Sequence, residues 1–319
     1  MAEKDIVEKT LEGYNDVFAD IVNVLLFDGK RLMKPEDLED RTPGSSYKAD
    51  GKIHSQERDV AKAWKNGTIR VACVGMENQT RVDKLMPLRI IGYDGAEYRA
   101  QYDLKGSKYP VISFVLYFGT NPKWASEVSL KDCLEIPEEL KEYVSDYRVK
   151  VFSIAYLPQE KVEQFTSDFR VVADYFRQQR VKHDYEPNPQ ELKHVKETLE
   201  LLSVMGDDHR FIETYNANME QGMKGGFRNM SEALDNYIKR ETLKIQQKAI
   251  EEGKAEGRAE GRAEGRAEGK AEGKAEGKFI TLIELVRENL LSIEKAAAKA
   301  NMTVEEFKER MNRIPAEAV

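Results

Sequence analysis

The 319 residues of this chain, of which 40% are apolar and 34% are charged, are sufficient for one substantial core with further elements attached. Two cysteines are too few for a disulfide framework, and four scattered histidines lack the spacing of a zinc site. The formal net charge of −7 argues against binding to nucleic acid through overall charge, although a local basic patch can still guide DNA to an acidic metal site.

The N-terminal stretch, MAEKDIVEKTLEG, is charged where a signal peptide would need an apolar segment, and no apolar run approaches the ~20 residues of a membrane span. We therefore expect a cytoplasmic protein that binds no membrane. Residues 4–27 predict an amphipathic helix whose stronger part begins near Asn15 or Asp16. Its apolar residues recur at helical spacing: Val17, Ile21, Val24 and Leu25. Residues 28–57 carry turn signals and predict a flexible loop.

Two β-rich runs flank the dipeptide Asn66-Gly67, which predicts a hairpin because both residues tolerate positive φ. Asp59 then lies on the first strand. Side chains alternate along a strand, so Glu77 and Gln79 lie on the same face of the second strand. Two carboxylates on paired strands, with a polar group two residues further on, can hold a hard divalent cation over a phosphate.

Beyond this hairpin, the sequence predicts a helix within residues 82–102 that begins past Asp83. The run PVISFVLYFG at 110–119 is apolar nearly without interruption, which predicts a central strand buried on both faces. A connector with a short helix at 127–143 and a further strand at 148–157 follow. This order of elements indicates an α/β core built on a mixed sheet.

Five stretches of the sequence together resemble the Rpn family of recombination-promoting nucleases, the YhgA-like transposase type, within the PD-(D/E)XK nuclease superfamily. The stretches are RDV at 58–60, ENQT at 77–80, MPLRIIGYDGAEYRAQY at 86–102, PVISFVLYFG at 110–119 and, more weakly, SDFRVVADYF at 167–176. The resemblance covers about the first 240 residues. It implies a restriction-endonuclease-like core, DNA as the partner, and a role in DNA recombination or with mobile elements.

The resemblance also implies a metal site for Mg²⁺, with Mn²⁺ as a substitute and no organic cofactor. Asp59 and Glu77 would coordinate the ion together with the backbone carbonyl of Asn78. An acid from the first helix often completes the site in the superfamily, and Asp16 or Asp20 are the candidates here. Gln79 stands where the superfamily has lysine and would orient the attacking water, although glutamine cannot carry a positive charge.

Basic side chains near this site are candidates for contact with DNA. Lys62 or Lys84 could supply the positive charge that Gln79 lacks. Arg89 and Arg99 on the helix after the hairpin could meet the phosphate backbone, and Arg89 could equally pair with an acid.

The rest of the chain is predicted to be helical. The expected domains are a nuclease core at 1–157, a helical extension packed on it at 158–250, a low-complexity spacer at 251–278 and a small helical tail at 279–319. Within the spacer, KAEG and RAEG units repeat from Lys254 to Gly277, with like charges four residues apart and a glycine in every unit. Both features weaken a helix, so we expect a frayed helix or a flexible linker.

The tail resembles a helix-turn-helix unit in its pattern. Thr303 and Glu306 match a capping box at the start of its last helix, and Asn301 lies near the turn. Residues on or beside a recognition helix would be Val304, Glu305, Lys308 and Arg310. A helical hairpin that serves only in assembly would have the same pattern.

The sequence leaves three functions open. The first is an Mg²⁺-dependent DNA endonuclease, whose helical extension could also provide a surface for a homodimer. The second is a nuclease fold that has lost its chemistry and only binds DNA. The third is an interaction protein in which the helical half mediates assembly. Cleavage, binding without cleavage, and absence of DNA binding would distinguish them.

Overall fold

The computed structural model describes residues 11–41, 44–49, 52–57, 59–66, 69–102, 105–220 and 227–314. The chain divides into two compact units, Met1–Arg240 and Glu241–Val319. The strands are β1 (Leu38–Asp40), β2 (Gly44–Ala49), β3 (Lys52–Glu57), β4 (Val60–Asn66), β5 (Ile69–Gln79), β6 (Val111–Tyr117), β7 (Glu127–Ser129) and β8 (Arg148–Ser153). The helices are α1 (Asn15–Leu25), α2 (Met86–Ala100), α3 (Gln159–Val162), α4 (Phe169–Lys182), α5 (Val195–Gly206), α6 (Arg210–Glu220), α7 (Met230–Arg287), α8 (Ile293–Lys299) and α9 (Val304–Asn312).

The first unit is built on a six-stranded mixed sheet in the order β1-β4-β5-β6-β8-β7. Strand β5 pairs antiparallel with β4 and parallel with β6, and β6 pairs parallel with β8. This architecture confirms the predicted α/β class, with a mixed sheet flanked by helices and a helical C-terminal part. The predicted turn at Gly67 lies outside the described residues, but β4 and β5 do form the antiparallel pair that it would join.

Helices cover both faces of the sheet because its central strands are apolar on both sides. On one face, Met76 and Leu116 pack in the same core as Ile21 of α1 and Val172 of α4. On the other face, buried residues of β6 and β8 pack with Met86 and Ile90 of α2: Val115, Tyr117, Val149 and Val151. The uninterrupted apolar run in β6 therefore has the double burial that its composition predicts.

The stretch from 28 to 57 is more regular than the flexible loop predicted for it. Strand β1 pairs with β4, and β2 pairs with β3 as a separate two-stranded sheet. The dipeptide Asp50-Gly51 between β2 and β3, itself outside the described residues, is a hairpin signal of the same kind as Asn66-Gly67. The sequence between β2 and β3 therefore carried a signal for a pair of strands.

In the second unit, the last part of α7 packs with α8 and α9 around a small apolar core. Its buried residues are Phe279, Leu282, Ile283, Ala296, Ala297 and Phe307. The predicted capping box is confirmed, because the Thr303 side chain accepts a hydrogen bond from the Glu306 backbone and the Glu306 side chain accepts one from the Thr303 backbone. Asn301, in the turn between α8 and α9, has a positive φ of 53°.

The repeat differs from the frayed helix or linker that we expected, because α7 runs through it without a break. All its residues are exposed, and the repeat glycines from Gly257 to Gly277 have open space around the position of a side chain. Packing therefore does not hold this part of the helix. Three of the four residues in each unit are good helix formers. Buried residues also anchor the helix at both ends, Met230 and Ala233 at one and Phe279 and Ile283 at the other.

No helix among the described residues has the length and apolar character needed to cross a membrane.

Candidate functional site

Asp59, Glu77 and Asn78 meet where β4 begins and β5 ends. The antiparallel register pairs Val60 with Met76, which brings the preceding Asp59 beside Glu77. All three residues are buried, and the Asn78 backbone N–H donates a hydrogen bond of 2.6 Å to Oδ2 of Asp59. The structure therefore brings together the two carboxylates that the sequence singled out.

Arg89 of α2 approaches Glu77 from one face of the sheet. Its Nη2 lies 3.0 Å from Oε2 of Glu77, whose side chain is almost completely buried. Burial alone would lower the pKa of Arg89, but the charge of Glu77 and a hydrogen bond with Tyr93 outweigh it and raise that pKa. Burial, followed by the charge of Glu77, also raises the pKa of Tyr93. Arg89 therefore pairs with an acid. This pairing was one of its two predicted roles, and the other was contact with the phosphate backbone of DNA.

Glu12 approaches from the opposite face, because Asn78 points away from Glu77 along the pleated strand. The side-chain amide of Asn78 donates a hydrogen bond to Oε2 of Glu12, which is fully buried. Burial raises the pKa of Glu12 to about 8, the hydrogen bond from Asn78 opposes this change, and the charge of Asp59 adds to it. An acid with such a pKa is mostly protonated at neutral pH.

Glu12 was missed by the sequence analysis, which looked for the additional acid only in α1. Leu11 and Glu12 have helical backbone, and Gly13 separates them from α1. No spacing or motif distinguishes Glu12 from the other acids nearby, so its position could come only from packing.

The two acids proposed from α1 have other partners. Asp16 lies 3.2 Å from Nε2 of His194 and 3.3 Å from Nζ of Lys193. Burial opposes the effect, but these two bonds lower the pKa of Asp16 below its ordinary value. Its contacts join α1 to the start of α5.

Asp20 binds the segment that precedes α4. It accepts hydrogen bonds of 2.8 Å from the backbone N–H groups of both Thr166 and Ser167, and it also pairs with Arg31. Asp16 and Asp20 therefore connect helices, whereas Glu12 is the acid that contacts Asn78.

The remaining predicted residues are distributed around this cluster. Lys62 is buried, donates a 2.6 Å hydrogen bond to the Gly13 carbonyl and pairs with Asp40, so it is not available to DNA, contrary to our expectation. Lys84 and Arg99 are exposed. Gln79 is half-buried and belongs to the same strand face as Glu77.

The donor atoms suit a hard divalent cation, although they do not form a ready-made cage. Among the described residues, no three Asp, Glu, His or Cys side chains are grouped as a metal site. Two buried oxygens, Glu12 Oε1 and Asn78 Oδ1, accept no hydrogen bond from any residue that the structure describes. Together with the carboxylates of Asp59 and Glu77, they are the oxygen ligands that Mg²⁺ and Mn²⁺ prefer.

Comparison with protein families gives a match to the model described as "Putative transposase, YhgA-like" over residues 65–203. The matched stretch begins near the end of β4 and ends in α5, so that it contains Glu77, Asn78, Gln79 and Arg89 but neither Glu12 nor Asp59. No curated protein and no solved structure matches the chain. Residues 65–203, less than half of the chain, are therefore similar to the family of YhgA-like putative transposases.

Proposed function

We propose that this protein is a divalent-metal-dependent DNA endonuclease of the PD-(D/E)XK type that acts in DNA recombination or on mobile elements. One observation carries the proposal: Asp59 and Glu77 lie side by side at the paired ends of two strands, with Asn78 bonded to both Asp59 and the buried Glu12. The similarity of residues 65–203 to a family of putative transposases supports DNA as the substrate.

The residues that would hold Mg²⁺ or Mn²⁺ are Asp59, Glu77 and the backbone carbonyl of Asn78. Glu12 would support them from the other face through its hydrogen bond with the Asn78 side chain. When bound, the ion would make a water molecule more acidic and neutralise charge on the phosphate. Gln79 lies next to these acids and would orient the water by hydrogen bonding. Arg89 supplies the positive charge that glutamine cannot, and it would stabilise the phosphate.

The exposed cations Lys84 and Arg99 are the proposed contacts for the DNA backbone. Lys84 lies just before α2 and Arg99 lies in its last turn, so both flank the helix that carries Arg89. Contacts of this kind position DNA without reading its sequence, and they make binding depend on salt concentration.

Cleavage of supercoiled plasmid tests the proposal. We expect nicking with Mg²⁺ or Mn²⁺, none with chelator, and loss of cleavage in Asp59→Asn and Glu77→Gln, which keep the shape of each side chain. Asp132→Asn, at an exposed acid outside the site, is the matched control and should cleave normally. Cleavage that survives both site substitutions would show that the site lies elsewhere.

A second candidate function is DNA binding by a nuclease fold without catalytic activity. The ion pair between Arg89 and Glu77 favours it, because a metal must compete with the guanidinium for that carboxylate. Under this alternative, the protein binds DNA in gel-shift experiments with equal affinity in Mg²⁺ and in chelator, and no divalent metal restores cleavage.

We also propose that the chain forms a homodimer through the exposed face of α2. Large apolar side chains are exposed there and in the residues that flank it: Leu85, Leu88, Ile91, Tyr98 and Tyr102. Gly92 and Gly95 lie between the aliphatic side chains at the start of this face and the tyrosines at its end. In an antiparallel pair of α2 helices, the aliphatic side chains of one helix would therefore contact the tyrosines of the other. Sedimentation velocity should show a dimer that Leu88→Glu dissociates and Leu140→Glu, at another exposed leucine, does not. A monomeric wild type would refute the dimer.

A further inference from the structure

Arg89 connects the surface to Glu77, an almost completely buried acid of the proposed metal site. The side chain of Glu77 is 1% exposed, and that of Arg89 is 35% exposed. Nη2 of Arg89 contacts Glu77, while Nη1 lies 3.9 Å from Oδ2 of the half-buried Asp83. The guanidinium of Arg89 therefore has a second acid, Asp83, close to it and nearer to the surface than Glu77.

Glu77 needs a cationic partner because a buried carboxylate is costly unless it is neutralised. Arg89 provides that charge in the structure. A divalent cation would bind the same carboxylate, and the two positive charges would then repel each other within a few ångströms. Because arginine does not lose its proton in proteins, movement of Arg89 away from Glu77 would relieve this repulsion.

The neighbourhood of Arg89 allows such a movement. Its side chain is 35% exposed, and the equally exposed Asp83, which precedes α2, lies 3.9 Å from its Nη1. A guanidinium released from a carboxylate presents parallel N–H donors that match a phosphate group. The same residue could therefore bind Glu77 before the metal arrives and the DNA phosphate afterwards.

We propose that Arg89 is a positioning residue that competes with the divalent cation for Glu77 and is transferred to the DNA phosphate when the cation binds. The inference rests on the proposed function, since it assumes that Glu77 is a metal ligand. It adds a coupling between the binding of metal and the binding of DNA. Each ligand favours separation of Arg89 from Glu77, so each should bind more readily when the other is present.

Calorimetric titration of the full-length protein with MnCl₂ or CaCl₂, without DNA, tests this coupling. We expect Arg89→Gln to bind the metal about tenfold to a hundredfold more tightly than the wild type, because the competing charge is gone. Arg99→Gln, which removes one positive charge from the same helix, should leave metal affinity unchanged. DNA cleavage by Arg89→Gln should nevertheless fall, since the phosphate loses its partner.

Two further measurements keep the test decisive if Arg89→Gln folds poorly. The Nε–H resonance of Arg89 in the wild type, assigned by its loss in Arg89→Lys, should shift when MgCl₂ is added. Addition of a short DNA duplex should lower the Mn²⁺ concentration needed for half-saturation of the wild type. The resonance shift supports release of Arg89 from Glu77 by the metal. An effect of DNA on Mn²⁺ binding that is weaker in Arg89→Lys supports transfer of Arg89 to phosphate, and an equal effect overturns it.

The outcomes separate the inference from the proposed function. Metal binding that is equal or weaker in Arg89→Gln, or an Arg89 resonance that does not respond to metal, overturns the competition while the metal site stands. Absence of metal binding in the wild type and in Arg89→Gln, together with absence of cleavage, overturns both. Tighter metal binding in Arg89→Gln that Glu77→Gln abolishes in the double variant supports both.

Discussion

The side-chain amide of Asn78 donates a buried hydrogen bond to Glu12, a residue 66 positions earlier in the chain. This bond fixes the end of β5 against the segment that precedes α1. It places an acid with a pKa raised to about 8 beside Asp59, and we propose that Glu12, rather than Asp16 or Asp20, is the additional acid of the site.

Substitution of Glu12 should separate its stability role from its role at the metal. Glu12→Gln keeps the shape and an acceptor for Asn78, so we expect little loss of stability but about tenfold to a hundredfold weaker metal binding. Glu12→Ala removes the acceptor and should also cost about 1–3 kcal/mol in the free energy of unfolding. Urea unfolding and MnCl₂ titration of each variant measure the two effects. Metal binding that is unchanged in Glu12→Gln would remove Glu12 from the site.

Asp20 should matter for stability and not for metal binding. Asp20→Ala leaves the backbone N–H groups of Thr166 and Ser167 without their acceptor, and we expect a loss of about 3 kcal/mol in the free energy of unfolding. Asp16→Ala, at a more exposed acid, should cost about 1 kcal/mol or less. Denaturant unfolding checks both values. A change in metal affinity in either variant would contradict the assignment of these acids to helix packing.

Asp208 should contribute to the loss of stability in acid. Burial raises its pKa, but bonds from Arg210 and Tyr175 outweigh burial and lower the pKa below the ordinary value of 3.8. The contribution is therefore complete above pH 3.8 and is lost as the pH falls through the lower pKa of the folded state. Urea unfolding at a series of pH values should show a less steep acid decline in Asp208→Asn than in the wild type. Equal declines would contradict a role for this carboxylate.

The repeat should be helical in the protein but weakly helical in isolation. A peptide of residues 254–277 has no buried residues to anchor its ends, and each glycine costs about 1 kcal/mol relative to alanine. Circular dichroism should show little helix for this peptide and much more for the same peptide with alanine in place of every glycine. A stable helix in the natural peptide would show that the repeat needs no anchors.

Several features could be predicted from the sequence because they depend only on neighbouring residues. The apolar run of β6 determines that both its faces are buried, and Thr303 with Glu306 determines where α9 begins. The alternation along β5 places Glu77 and Gln79 on one face and Asn78 on the other. The similarity of residues 65–203 to YhgA-like putative transposases also follows from sequence alone.

Only the tertiary structure decided which charged groups meet. Glu12 contacts Asn78, Lys62 is buried beside Gly13, and Arg89 pairs with Glu77. The sequence did not distinguish these acids and bases from others that could have made the same contacts. Periodicity shows the face on which a side chain lies, whereas a contact across many tens of residues depends on how helices pack on the sheet. Because burial makes each isolated charge costly, that packing selects the partners.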